Sequence, residues 1–439
     1  MPGPGNNGAE HRVAYVNARL LDPASGLDAL GGLLTKGRAI TNFGEGLFKH
    51  GAPEGVVVVD CGGHCLAPGL VDIRVQLREA GIEDRGTLAS AGRSATAGGV
   101  TSLVCLPNTD PVIDESAVVE FVARRARLLG LAKVYPYGAV TKNLEGRELA
   151  EMGLLAKAGA VAFTDGVTAV ADPQVMRRAL SYAATFGLTV AQHPEDPSLA
   201  ADGVMNEGEV ATRLGLIGIP SEAEIILVER DIRLAELTGG RLHVAHVSSA
   251  AALQAIRQAK ARGLAITCDT APPYFALNEN ALGDYRTFAK LSPPLRSEGD
   301  RQAVVEALKD GTVDAIASDH NPQDEDAKRL PFAQAAFGGV GLETLLAISL
   351  ELHHNGHLSL LDVLRLLTVG PAELLDLPAG RLREGGPADL VLFDAGRGWK
   401  VDADTLHSKS KNSPFDGRPV QGRVLRTVVD GRAVFELEA

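Results

Sequence analysis

Cysteine is scarce in this chain: four in 439 residues cannot make a disulfide framework, which excludes the small stapled folds of secreted proteins. No run approaches the roughly 20 apolar residues that a membrane helix needs, and the opening MPGPGNNGAE lacks the basic-then-apolar pattern of an export signal. The cytoplasm is therefore the expected location. No basic stripe interrupts a net charge of −12, so nucleic acid is not expected as the main partner, and the acidity serves solubility. Internal repeats and low-complexity tracts are missing too. What is left is an enzyme-sized chain, long enough for one large domain with a smaller appendage.

Short β-branched runs alternate with Ala/Leu-rich stretches of helical period along most of the length. The runs are LVDIRVQL (70–77), VTSLVCLPN (100–108), KVYPYGAVT (133–141), AVAFTD (160–165), LTVAQHPED (188–196), LHVAHVSS (242–249), LAITCDT (264–270) and VDAIASDH (313–320). Nearly every run ends in polar or ionisable residues, as a (β/α)8 barrel does when its chemistry sits at the C-terminal ends of its strands. Intervening segments such as ESAVVEFVARRARLLG and AAALQAIRQAKARG carry amphipathic helix patterns. The fold class predicted is α/β, a TIM barrel over residues 67–385.

The two ends of the chain read differently. Residues 1–66 contain RVAYVNARLLD, GLLTKGRAI and GVVVVDCGG, and residues 386–439 contain ADLVLFDAG and RVLRTVVDGRAVFEL, all short strands between Gly/Asp turns. A small composite β-sandwich domain built from both termini is predicted. Residues 325–341 are expected to be a loop over the barrel mouth.

The segment PGLVDIRVQLREAG (68–81) carries the most information. Val71, Ile73, Val75 and Leu77 alternate with Asp72, Arg74, Gln76 and Arg78, so one face is apolar and the other aims four polar side chains at one site. The segment resembles the first barrel strand of the cyclic amidohydrolases, the dihydroorotase family above all, which reads D-x-H-x-H-L-R-E and holds zinc with its two histidines. Arg74 and Gln76 stand at those two metal positions. A guanidinium has no acceptor lone pair and an amide is a feeble zinc ligand, so this half of the metal site is lost.

Later motifs extend the resemblance over nearly the whole chain. Asp165 in AVAFTDG falls where bacterial dihydroorotases carry a bridging aspartate, His193 in AQHPED and His246 in HVAHVSS match metal histidines, and Asp319 in ASDHNP matches the catalytic aspartate. Arg78 and Asn108 match the family's residues for the substrate carboxylate. Other positions depart from the pattern: APPYF (271–275) lacks both histidines of T-P-H-H-F, KLSPPLR has Ser292 for an asparagine, and Gln323 replaces a histidine that helps hold substrate. From the residues alone, Asp165, His193 and His246 make three good zinc ligands with room for a water. Equally, Arg74 could hold Asp165 and Asp319 in ion pairs that replace the missing positive charge.

Remaining histidines and cysteines read as structural. CGGHC (61–65) has no second Cys/His pair nearby and is expected to supply turn and core cysteines. His353, His354 and His357 flank a Gly/Asn break and are expected to be solvated or capping. His243 is expected to pack toward the outer helices, and His320 to support the site or the fold.

Two functions follow. One is a dihydroorotase-like protein of pyrimidine biosynthesis, weak or inactive as a hydrolase, that serves as a structural partner of aspartate carbamoyltransferase in an oligomer, as the resemblance implies. The other is a working hydrolase with at most one zinc per chain, at Asp165, His193 and His246, acting on dihydroorotate or another small cyclic amide.

Overall fold

The computed structural model describes residues 11–438; the opening segment read above for an export signal lies outside the described residues. The N-terminal part forms five strands, β1 (Arg12–Asp22), β2 (Leu27–Lys36), β3 (Ala39–Glu45), β4 (Val57–Asp60) and β5 (Cys65–Pro68). Strands β6 (Leu70–Val75), β7 (Val100–Cys105), β8 (Lys133–Pro136) and β9 (Thr189–Gln192) follow, with a two-residue pair, β10 (Met205–Asn206) and β11 (Gly218–Ile219), after them. The chain continues through β12 (Arg241–Val244), β13 (Ile266–Thr270) and β14 (Ala315–Ile316) and ends in β15 (Leu390–Lys400), β16 (Pro419–Val429) and β17 (Arg432–Glu436).

Parallel pairing joins β6 to β7 and β7 to β8. Single parallel bridges then link Gly138 to Phe163 and Phe163 to Val190, and β9, β12, β13 and β14 pair in that order. A last parallel bridge, Val75 to His320, returns to β6, so the pairings run in a closed circuit. Helices fill the connections, among them Leu88–Ala97, Ser116–Leu129, Pro173–Thr185, Glu222–Thr238, Ala250–Ala261 and Glu298–Lys309. Their starts are written in the sequence: Thr87, Asp172, Ser249 and Ser297 each accept a first-turn N–H, and Pro173 follows its cap at a position that needs no donor.

The strands are shorter than the apolar runs predicted. Each run holds a few ladder residues and then the loop that carries its polar groups, and 160–165 contributes only the bridge at Phe163. Every residue of β6 is buried, as a strand covered on both faces must be. The expected plain loop at 325–341 instead starts with a short helix, Glu325–Arg329, and is pinned by two buried lysines. Lys328 Nζ donates to the carbonyls of Thr287 and Ala336, and Lys290 Nζ to those of Phe332 and Ala333.

Strands from both ends of the chain share one hydrogen-bonded sheet in the order β17-β16-β15-β5-β1-β2-β3, with β4 also on β1. The seam is β5, parallel to β1 and antiparallel to β15, and the next residues after β5 enter the ring. Lys133 at the start of β8 reaches Asp389 at 2.6 Å and Asp430 at 2.8 Å, which ties ring to sheet.

Asp430 and Gly431 turn β16 into β17 with positive φ at both positions, the geometry of a two-residue hairpin turn. Gly431 lies so close to the β2–β3 turn that a Cβ on it would sit 1.9 Å from the Gly37 carbonyl oxygen. Gly431→Ala combines left-handed strain with a backbone clash and is expected to cost about 2–4 kcal/mol, read as a lower denaturant midpoint at unchanged slope. An unchanged midpoint would show that the two turns do not depend on each other.

Candidate active site

The bridge between Val75 and His320 sets the end of β6 beside residues 318–323, and this juxtaposition builds the site. Arg74 Nε donates to Asp319 Oδ1 at 2.9 Å and Nη2 to the Gly166 carbonyl at 3.1 Å. Burial alone would raise the Asp319 pKa, but His246 and Arg74 more than offset it and hold the carboxyl below its ordinary range. His246 Nδ1 lies 3.4 Å from Asp319 Oδ2 without a hydrogen bond, and His246 Nε2 meets His193 Nδ1 at 2.7 Å. Burial, reinforced by Arg74, pushes the His246 pKa down to about 4, so this imidazole is neutral near pH 7. Glu195 stands 3.8 Å from the far nitrogen of His193 and accepts from Ser292 Oγ at 3.3 Å.

Asp165 does not join the two imidazoles. Its Oδ1 accepts the N–H groups of Val140 and Thr141, at 3.0 and 2.9 Å, and its Oδ2 accepts the Thr141 hydroxyl. Burial raises its pKa to about 6 in spite of these bonds. Among the described residues no group of three His, Cys, Asp or Glu side chains is placed to hold a metal ion. The three-ligand zinc set expected at Asp165, His193 and His246 is therefore corrected: two imidazoles converge, and the carboxylate serves to bind the 140–141 turn. Arg74 likewise pairs with Asp319 and not with Asp165. The donor set as arranged does not fit the zinc site implied by the family pattern.

The groups expected to hold substrate carry unused capacity. Asn108 Nδ2 donates to Gln76 Oε1 at 2.9 Å, which fixes the amide of Gln76 and leaves its buried Nε2 without a partner. Arg78 donates through Nη2 to Asn321 Oδ1, and its Nε has no partner either. Gln323 is fully engaged: its Nε2 donates to Asn321 and to the Phe337 carbonyl, and its Oε1 accepts from Arg85. Arg78, His246 and Asp319 have φ of 65°, 39° and 49°, left-handed values that non-glycine residues adopt at a cost of order 1–3 kcal/mol each.

Sequence reasoning missed several supports. Glu195 lies inside the AQHPED motif, two residues after His193, a signal present but unused. Asp269 accepts the His246 N–H with one oxygen and meets His243 Nε2 at 3.0 Å with the other, while His243 Nδ1 meets Thr267 Oγ1 at 2.9 Å. His243 is thus satisfied by polar groups of the adjacent strand and not by an outer apolar face. Cys61 and Cys65 are buried free thiols whose pKa values burial raises to about 12 and about 11, as fits turn and core cysteines. His353 Nδ1 contacts the Leu358 carbonyl at 3.3 Å across the helix end at His354.

Comparison with known proteins places this geometry. The fold matches L-hydantoinase (dihydropyrimidinase) from Arthrobacter aurescens with a TM-score of 0.85 and 26% identity, over 97% of this chain and 96% of that one. Dihydropyrimidinase from Brevibacillus agri shares the fold with a TM-score of 0.81, over 97% and 95% of the two chains, at 23% identity. The family described as Amidohydrolase family matches residues 166–435, which sets the class. The family described as Dihydro-orotase-like matches residues 63–252. Proteins named dihydroorotase from Anaplasma phagocytophilum (strain HZ) and Geobacter sp. (strain M21) are 48% and 45% identical, over 98% and 95% of this chain and 96% and 98% of theirs. The chain belongs to the dihydroorotase-like family. No helix among the described residues is long and apolar enough to cross a membrane.

His320 gives the site a pH dependence. Its Nδ1 accepts the Gly341 N–H at 3.3 Å, and burial, with Arg78 nearby, lowers its pKa to about 3. The unfolded state takes up a proton near pH 6.5 and the folded state does not, so this stability is complete above pH 6.5 and is lost as pH falls toward 3. Between pH 7 and pH 5 His320 alone should remove on the order of 2 kcal/mol. Denaturant titrations at the two pH values should show a smaller drop for His320→Gln than for the parent chain, and an equal drop would refute the assignment.

Proposed function

We propose that this chain is a dihydroorotase-type protein of pyrimidine biosynthesis that binds the N-carbamoyl-L-aspartate/dihydroorotate pair and turns it over several orders of magnitude more slowly than an ordinary family member. The carrying observation is the buried Arg74–Asp319 contact at 2.9 Å, with a guanidinium where the family pattern has its first metal histidine. Arg78 and Asn108 hold a substrate carboxylate, and Asp319, kept ionised by Arg74, accepts a proton from the reacting group. In the proposed architecture a (β/α)8 barrel over 67–385 carries the site, and residues 1–66 and 386–439 form the flanking β-domain.

A fixed cation can polarise a carbonyl but cannot generate hydroxide at neutral pH, a contribution that a metal supplies and that is worth several kcal/mol. Each 1.4 kcal/mol is about tenfold in rate. Elemental analysis of protein purified without chelator should find no more than one transition metal per chain, and assays in both directions should fall far below roughly 10 turnovers per second. Two metals per chain, or an ordinary rate, would refute the reading. Arg74→His with Gln76→His should not restore a full rate, because Pro273, Tyr274 and Gln323 still occupy positions where the family pattern has histidine.

The full-length likeness to proteins named dihydroorotase favours a second reading, an active hydrolase of dihydroorotate or another cyclic amide. An ordinary rate, lost in His246→Ala, would establish it in place of the slow enzyme.

The scaffold role is a further part of the proposal. A chain with coherent strands and helices but an altered metal site suits a subunit that assembles with aspartate carbamoyltransferase. Such a permanent interface should bury on the order of 2,000 Å² or more. Co-expression of the two proteins followed by size-exclusion chromatography with mass measurement should give one species. Separate elution at micromolar concentration, with the transferase active alone, would reject the partnership.

A further inference from the structure

Four buried polar atoms without hydrogen-bond partners lie just beyond the C-terminal ends of β6, β9 and β12. Gln76 Nε2, Arg78 Nε and His246 Nδ1 lie in side chains at least nine-tenths buried and lack partners, and so does Glu195 Oε2. Buried polar atoms are almost always paired, so four orphans around one opening call for a ligand that satisfies them. They form one neighbourhood: a Cβ on Gly166, whose carbonyl takes Arg74 Nη2, would lie 3.7 Å from Asn108, and Asn108 bonds Gln76. Across the site Arg74 bonds Asp319, which stands beside His246, and His246 contacts His193 next to Glu195.

The two arginines differ in what they lack. Arg78 is buried with a neutral asparagine as its hydrogen-bond partner and no carboxylate, an uncompensated cation that one ligand anion would neutralise. Arg74 has its carboxylate, but neither of its two bonds uses Nη1, and the orphaned amide nitrogen of Gln76 comes from the same strand face. A guanidinium nitrogen and a carboxamide NH2 are donors only, and together they suit a second carboxylate. The acceptor Glu195 Oε2 suits an N–H donor such as a ureido group.

Resting on the dihydroorotase-type reading above, we propose that Arg74 and Gln76 form a second carboxylate subsite, so that this mouth selects the ring-opened N-carbamoyl dicarboxylate over its cyclic monoanion. Arg78 and Asn108 take one carboxylate, and Arg74 Nη1 with Gln76 Nε2 takes the other. Ring closure converts that second carboxylate into a neutral imide carbonyl, and the charge-assisted bonds are lost. The substitutions that removed the metal ligands thereby set specificity.

The test is isothermal titration of the full chain in chelator at pH 7.5 with three ligands: N-carbamoyl-L-aspartate, L-dihydroorotate and N-carbamoyl-glycine, a ureido acid with one carboxylate. Expected is tighter binding of the dicarboxylate by about tenfold or more over both monoanions, the worth of one charge-assisted hydrogen bond. Gln76→Leu and Arg74→Met should bring the dicarboxylate toward the monoanions without weakening dihydroorotate, whereas Arg78→Met should weaken all three. Because Arg74→Met strands a buried carboxylate, Arg74→Met/Asp319→Asn repeats the measurement in a chain without that charge. Equal affinity for the dicarboxylate and the monoanions, or a preference that survives both the Gln76 and the Arg74 substitutions, overturns the subsite alone. No heat with any ligand at millimolar concentration overturns the subsite and the dihydroorotase-type reading together.

Discussion

The contact between Arg74 and Asp319 is the constraint on which the rest of the site depends. It joins the end of β6 to the segment after β14, where the circuit of parallel pairings closes. Removing either partner from a buried pair typically costs 3–5 kcal/mol, because the other charge is left without compensation. A second bond, to the Gly166 carbonyl, adds a third segment to the same guanidinium. Arginine keeps its proton at any accessible pH, so this cation can fix geometry and attract anions, yet it cannot lower the pKa of a bound water as a metal does.

Strain points the same way. Three non-glycine residues at the mouth, Arg78, His246 and Asp319, hold left-handed backbone. Such conformations persist only when their surroundings over-determine them, and for His246 the agent is visible: Asp269 takes its N–H while also contacting His243. At His246 the mouth is thus held by a second carboxylate, Asp269, behind the first side chain. A rigid array of oriented donors is what binding a charged ligand requires, because little reorganisation remains to be offset on association.

Much of this was legible in the sequence. Eight apolar runs with polar ends anticipated the order of parallel segments, and the turn-rich termini anticipated strands that pair across the whole length of the chain. Strand lengths were not legible, because the polar ends of the runs belong to loops whose hydrogen bonds go to side chains. Asp165 illustrates the cause: its carboxylate takes the N–H groups of Val140 and Thr141 in the loop that follows β8, and only three dimensions reveal that neighbour. A motif states which residue stands at a position but not which way its charge is used. Arg74 was legible as a substitution, whereas its choice of Asp319 over Asp165 was not.

A mouth that held a dicarboxylate without efficiently closing its ring, as proposed, would behave as a receptor, and a receptor acts according to where it is placed. Aspartate carbamoyltransferase produces N-carbamoyl-aspartate, so a subunit of the proposed assembly would meet that ligand at its highest local concentration. Occupancy would then neutralise Arg78 and give Gln76 Nε2 a partner, and binding to the folded state alone stabilises it by mass action. Arg74 and Gln76 would in this way link the stability of the scaffold to the output of its partner, a coupling that needs no hydroxide and no turnover.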